Sequence, residues 1–262
     1  MKNLKFILFA FCLFIASCIP SLHPIYTTEN TLIDDRITGK WFTEKTGVSK
    51  KDLEPYKDKD IKIHVKKLEI IGDSLYQFSS FDMWQFDRAA NIRYEKINEN
   101  GSSSNTAQFD HPMSQIDSSL LADGYHISEI EKLDYYILQY KDLKDEEAGV
   151  ETMIVHLTEI NNDIYMDFEP HPDFRSESRF SINHIPAHTF AKVEFNEDRL
   201  VMKSFNSEFI EELIKNKRVR LKHERIEDAI ILTASTEELR GFIEKYGNES
   251  KLYADDEILL KI

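Results

Sequence analysis

Nine histidines and forty-seven acidic residues are the chain's stock of groups for acid–base or metal chemistry. Their spacing decides what they can do. His184 and His188 are the one pair of histidines four residues apart. Two metal ligands on one helix face would need a helix there, but Pro186 lies between them and strand-type residues follow from Thr189. The pattern predicts one histidine in a loop and the other at a strand start. His171-Pro172-Asp173 and His111-Pro112 read as turn residues beside prolines, with ligand or acid–base roles as the alternative. His156 falls in the middle of a strand pattern, as a packed or solvent-facing side chain. Asp145-Glu146-Glu147 and Asp255-Asp256-Glu257 read as solvated loops, and no loop alternates Asp or Asn around a central glycine as calcium requires. These residues define no catalytic set, metal centre or cofactor site. A site assembled from distant residues stays open, with His171 or His188 working beside Asp or Glu.

Glycine placement removes several enzyme classes. The eight glycines are Gly39, Gly47, Gly72, Gly101, Gly124, Gly149, Gly241 and Gly247. No group of them makes a dinucleotide fingerprint, and no Gly-Lys-Ser/Thr closes a phosphate loop. No pair brackets a serine as a nucleophile elbow does.

The two cysteines, Cys12 and Cys18, lie in the opening stretch MKNLKFILFAFCLFIASC. Lys2 and Lys5 precede a wholly apolar run from Phe6 to Ile15, and Ala16-Ser17 are small. A basic start, an apolar run of about 7–15 residues and a small-residue exit describe a secretory signal peptide. The run is too short to span a bilayer, which takes about 20 apolar residues. Ile15-Ala16-Ser17-Cys18 resembles the lipobox of bacterial lipoproteins. That resemblance implies cleavage after residue 17 and a diacylglyceryl group on Cys18, with a third acyl chain such as palmitate. Residue 19 is Ile and not the aspartate that retains some lipoproteins at the inner membrane, so the outer membrane, facing the periplasm, is expected. The alternative is an ordinary cleavage site followed by a free thiol, a liability in an oxidising compartment. In either case the mature fold has no cysteine pair for a disulfide.

Charge bears on partners. The chain carries −14, and loss of Lys2 and Lys5 leaves 31 basic against 47 acidic residues, or −16. A body this acidic repels nucleic-acid phosphates and anionic headgroups, so no nucleic acid is expected and attachment to the membrane falls to the lipid on Cys18. No polybasic segment is read as contributing.

Residues 18–38, with Pro20 and Pro24, read as a lipid-anchored tether, although Leu22, Ile25 and Tyr26 are apolar for a free linker. A single globular domain is expected over 39–262, β-rich to 203 and α+β from 204. Ile61, Ile63 and Val65 alternate with polar residues, as do Tyr136, Leu138 and Tyr140. Asn161-Asn162-Asp163 and Asn196-Glu197-Asp198 each separate two apolar runs, which predicts two hairpins. Gly101-Ser102-Ser103-Ser104-Asn105 reads as a surface loop. Phe209, Ile210, Leu213 and Ile214 have helical spacing. Ser235-Thr236-Glu237-Glu238 is a capping box ahead of Leu239, Phe242, Ile243 and Tyr246, and Gly247 is placed to end that helix in the left-handed conformation. Ala229–Leu232 and 257–262 complete the strands. The fold class is therefore mainly β or α+β, an antiparallel sheet or barrel-like body with two C-terminal helices.

Gly39-Lys40-Trp41 resembles the start of lipocalin-like barrels, where the tryptophan closes one end; a core tryptophan opening an antiparallel sheet is the plainer alternative. A companion arginine cannot be assigned. A wider resemblance, to uncharacterised bacterial lipoproteins, rests on several stretches. They are Pro24-Ile25-Tyr26-Thr27, Gly39-Lys40-Trp41, Pro186-Ala187-His188-Thr189-Phe190, His223-Glu224-Arg225 and residues 232–239. It implies export and domain extent and transfers no catalytic residue. Function is expected to be that of a lipid-anchored, non-enzymatic binding or interaction domain, its partner an apolar ligand or an envelope protein. The alternatives are a periplasmic hydrolase-like enzyme and a purely structural role.

Overall fold

Antiparallel strands dominate the chain, as its period-2 patterning predicts. The computed structural model describes residues 19–43, 61–64, 67–70, 82–98, 102–113, 118–142, 150–172, 187–226 and 229–261. Cys18 and the signal stretch, His184, and Asp145-Glu146-Glu147 lie outside the described residues. In chain order the elements begin with β1 (Thr31–Leu32), β2 (Gly39–Thr43), β3 (Ile61–His64), β4 (Lys67–Ile70) and β5 (Asp82–Ile97). Then come β6 (Ser103–Pro112), α1 (Ser118–Ala122), β7 (His126–Asp142), β8 (Glu151–Ile160) and β9 (Asp163–Pro170). The remainder is β10 (Thr189–Asn196), β11 (Arg199–Ser204), α2 (Ser207–Lys215), β12 (His223–Ile226), β13 (Ala229–Leu232), α3 (Thr236–Tyr246) and β14 (Glu257–Lys261). The expected class, mainly β with antiparallel strands and two C-terminal helices, is the observed one.

The chain divides into two compact units. Unit 1 comprises Met1–Leu32 and Val155–Leu259, and unit 2 comprises Ile33–Ile154 and Leu260–Ile262.

In unit 1, β8, β9, β10 and β11 pair in sequence and β1 adds to β8 through Thr31 opposite Thr158. Both predicted hairpins form. Asn161 and Asn162 adopt positive φ (54° and 67°), the geometry that a tight two-residue turn demands and asparagine tolerates. Glu197 does the same (φ 49°) between β10 and β11. Helix α2 is capped by Asn206, whose side chain accepts from the Phe209 N–H. Helix α3 opens with the reciprocal Ser235–Glu238 capping box. Gly247 ends it in the right-handed conformation (φ −59°), not the left-handed one expected. Its glycine is required by space: a Cβ there would lie 2.7 Å from the Ile243 carbonyl oxygen and 2.8 Å from the Tyr165 hydroxyl. The core gathers Ile210 and Leu213 of α2 with Leu239, Phe242, Ile243 and Tyr246 of α3. Ile19 and Ile25 join it, so part of the stretch read as a tether lies inside the unit. Removing such side chains from water outweighs the freedom lost in ordering the segment.

In unit 2, β5 lies between β2 and β7 and also pairs with β6, while β3 and β4 form a separate ladder. Tyr136, Leu138 and Tyr140 alternate as predicted, yet Ile137 and Gln139 between them are buried as well, so this part of β7 is covered on both faces. Ser103 to Asn105, expected in a loop, begin β6, and His111-Pro112, expected in a turn, end it opposite Ala90 and Ala89. Proline is tolerated at such a strand end because it has no N–H to give to a ladder.

Candidate functional site

A fully buried aspartate in the middle of a strand is the chemical anomaly of unit 1. β9 runs Asp163-Ile164-Tyr165-Met166-Asp167-Phe168-Glu169-Pro170, and Asp167 is fully buried. A carboxylate there must be paired or hydrogen-bonded. Its Oδ1 lies 2.6 Å from Nδ1 of His188, and its Oδ2 accepts from the Ile25 N–H at 2.8 Å. His188 immediately precedes β10, at the strand start that the sequence predicts.

The cluster extends along the same strand. Glu169, two residues on from Asp167, places Oε2 3.9 Å from Nε2 of His188 and Oε1 3.9 Å from Nε2 of His156. Tyr26 stacks on the His156 ring at 3.7 Å between centroids, meets the His188 ring edge-on at 6.4 Å, and hydrogen-bonds Glu169. Four segments, the N-terminal stretch at Tyr26, β8, β9 and the start of β10, thus bring one tyrosine, two histidines and two carboxyls together.

The electrostatics follow from burial. Desolvation raises the Asp167 carboxyl to about 6, against the His188 hydrogen bond and charge. For His188 burial works the other way, but the hydrogen bond to Asp167 and the charges of Asp167 and Glu169 prevail and raise it. The pair therefore holds a proton to a higher pH than its separate members would in water. Tyr26 is raised far above an ordinary phenol by desolvation and by Glu169 and Asp167, so its hydroxyl stays protonated.

The backbone shows what the cluster grips. Ser21 exchanges both backbone hydrogen bonds with His188, at 2.9 and 2.8 Å. On its other side Leu232 donates to the Pro20 carbonyl and accepts from the Leu22 N–H, both at 2.9 Å. At Ile25 side chains take this part among the described residues: Asp167 accepts from its N–H, and Arg240 of α3 donates to its carbonyl at 2.8 Å. The same guanidinium donates to Thr158 Oγ1 and to the Glu159 carbonyl. Charged side chains thus replace a missing ladder, which buried backbone groups require.

His171 is buried just past the end of β9 and His188 just before β10, so the two histidines of the hydrolase alternative are both interior. Asp255 and Asp256 are exposed and line an open cleft of about 590 Å³ with Glu208 and Tyr253. No group of three His, Cys, Asp or Glu arranged to hold a metal occurs among the described residues. No family model matches the chain, and no curated protein or solved structure matches it either.

Unit 2 holds the Gly39-Lys40-Trp41 signature. Trp41 is fully buried, and its indole N–H donates to the Ile37 carbonyl at 2.7 Å. Lys261 Nζ sits 5.1 Å from the ring centroid and donates to the Arg36 carbonyl at 2.8 Å. Gly39 adopts φ 130°, and a Cβ on it would come 3.0 Å from Lys261 Cε. A cation over the tryptophan is therefore present, as a lysine from the last strand.

Sequence reasoning reached His188 but missed Asp167, Glu169 and Tyr26 as its partners. The one available signal was Asp167 itself, a charge among four apolar residues of a predicted strand.

Proposed function

We propose that the chain is a bacterial envelope lipoprotein, anchored through Cys18 and carrying a non-enzymatic binding or interaction domain. The observation that carries this reading is the fastening of residues 19–26. Backbone bonds hold Ser21 on both sides, and Asp167, His188 and Arg240 hold the chain at Ile25 and Ser21. Whatever is attached one residue before Ile19 is coupled to unit 1 with almost no slack. In this reading the buried ionic cluster is a clasp between anchor and body. The test is labelling with palmitate and membrane fractionation. The native chain is expected to be labelled and membrane-bound, and Cys18→Ser to be unlabelled and unprocessed or soluble. Equal labelling of both would overturn the anchor.

The same cluster favours a hydrolytic second reading, because an aspartate-oriented imidazole is what a general base needs. Nε2 of His188, however, faces the carboxylate of Glu169. Turnover of nitrophenyl esters or glycosides that disappears in His188→Gln, with the fold intact, would establish this reading. A rate equal to that of buffer would remove these substrate classes.

A further inference from the structure

Between α2 and the end of β12 the chain reads Lys215-Asn216-Lys217-Arg218-Val219-Arg220-Leu221-Lys222-His223-Glu224-Arg225. Six Lys or Arg stand against one Glu in a protein whose net charge is −14. All six cations are exposed, while Leu221 is buried among the core residues of unit 1 and holds the segment in place. Arg225 pairs with Glu211 at 3.1 Å and Lys222 with Glu238 at 3.4 Å. Lys215, Lys217, Arg218 and Arg220 form no ion pair among the described residues.

The N-terminal segment runs beside this surface. Ser21 bridges Leu232 in parallel, so tracing both chains backwards carries Ile19 along β13 toward Ala229. Ile19 and Ile230 share the unit 1 core, and Ala229 is paired with Ile226, which is 57% exposed at the end of the β12–β13 hairpin. Residue 18 lies one Cα–Cα step, about 3.8 Å, from Ile19.

We infer that the basic segment 215–225, with Ile226 at its end, is a docking face for the anionic phospholipid headgroups of the bilayer that holds the anchor. It rests on the lipoprotein reading and adds to it a protein surface and an orientation. Two facts choose this occupant. The charge is complementary to phosphate-bearing headgroups, and the point where the acyl chains would leave the fold is next to the same hairpin. Net charge averages this face away: without the segment the chain is more acidic still. A surface held within a Debye length of the bilayer feels its own local charge more than the distant acidic remainder.

Amine reactivity tests this on the full lipidated chain. It is reconstituted in neutral phosphatidylcholine vesicles, and in vesicles with about one part in three phosphatidylglycerol. Acetylation of each lysine is then followed by mass spectrometry. In the anionic vesicles Lys215, Lys217 and Lys222 are expected to react about five-fold more slowly than in neutral ones. Lys251, exposed elsewhere on unit 1, is expected to be unchanged. About 1 M salt, where the Debye length is about 3 Å, should remove the difference. The charge-reversed variant K217E/R218E/R220E should lose it for the remaining lysines with its circular dichroism intact. A chain that fails to float with either vesicle overturns the anchor itself. A chain that floats but shows equal lysine reactivity in both vesicles overturns the docking face alone. Protection in detergent by an oligonucleotide, without protection by anionic lipid, overturns it in favour of nucleic acid.

Discussion

Ile25 of unit 1 and Trp41 of unit 2 are both completely buried, and opposite chemistries hold them. Around Ile25 the chain is fixed by charged side chains: Asp167 and its partner His188, which titrate, and the permanent cation of Arg240. Around Trp41 it is fixed by a neutral indole N–H on a carbonyl and by burial of the ring, with Lys261 above it. Segment 19–26 has few ladder bonds and borrows charged side chains, whereas β2 already has β5 beside it and needs only to fill space. The first kind of attachment responds to pH around neutrality, and the indole bond of the second does not. The chain supplies separate probes for the two. Both tryptophans, Trp41 and Trp84, belong to unit 2, and the two longer helices belong to unit 1.

The largest effect should come from breaking the clasp. Asp167→Ala strips the acceptor from the Ile25 N–H and leaves His188 facing Glu169 alone. Removing one partner of a buried ionic pair costs about 3–5 kcal/mol. Denaturant unfolding followed by helix ellipticity should register that loss. A change within about 0.5 kcal/mol, the usual range for an innocuous surface substitution, would mean that the clasp is ornamental.

Next in size is the pH response. The folded Asp167 carboxyl is raised from 3.8 to about 6, and His188 is raised as well. Both groups therefore hold protons in the native state that the unfolded chain has released. Stability from this source is complete below about pH 4 and is lost as pH rises through about 6, and for His188 somewhat higher. The shift of Asp167 corresponds to about 3 kcal/mol. Helix-detected stability is expected to fall between pH 4 and pH 8, and Asp167→Asn should flatten most of that fall. A native slope no steeper than that of the variant would contradict the assignment. Indole-detected stability over the same range tests the neutral attachment in unit 2.

The difference between the attachments also explains what the sequence could reveal. Asn161-Asn162 and the Ser235–Glu238 box are local devices whose residue types state their geometry, and they appear where expected. Trp41 was legible because a tryptophan opening a strand has few places to go but the core. The partnership of Asp167 and His188 spans 21 residues, and that of Asp167 and Ile25 spans 142. Nothing in local periodicity encodes such a meeting. Gly247 shows the same limit at one residue: the local rule anticipated a left-handed cap, but the space left between the Ile243 carbonyl and the Tyr165 hydroxyl from β9 set the requirement.

A smaller effect is expected at the indole. Trp41→Phe keeps most of the packing but leaves the Ile37 carbonyl without its donor. A buried group left unsatisfied costs about 1–3 kcal/mol. The loss should appear in Trp84 emission during unfolding and should be the same at pH 5 and pH 8.

Lys261 should matter least, although it has the most visible contact. Its ammonium touches the Trp41 ring and the Arg36 carbonyl, and on geometry alone a cation–π contact would contribute about 0.5–1 kcal/mol at an exposed site. Burial nevertheless lowers its pKa, outweighing the attraction of Asp34. A folded lysine that gives up its proton more readily than an unfolded one is charged at a net cost. The sign is therefore opposite to that of the clasp: this contribution is present at alkaline pH and lost as pH falls through the lowered pKa. Lys261→Met keeps the stem over Gly39 and Trp41 and removes the charge, giving up one exposed hydrogen bond. Its expected effect at pH 7 is under about 1 kcal/mol in either direction. A loss comparable to that of Asp167→Ala would show that unit 2, like unit 1, is held by charge, and the contrast between Ile25 and Trp41 would fail.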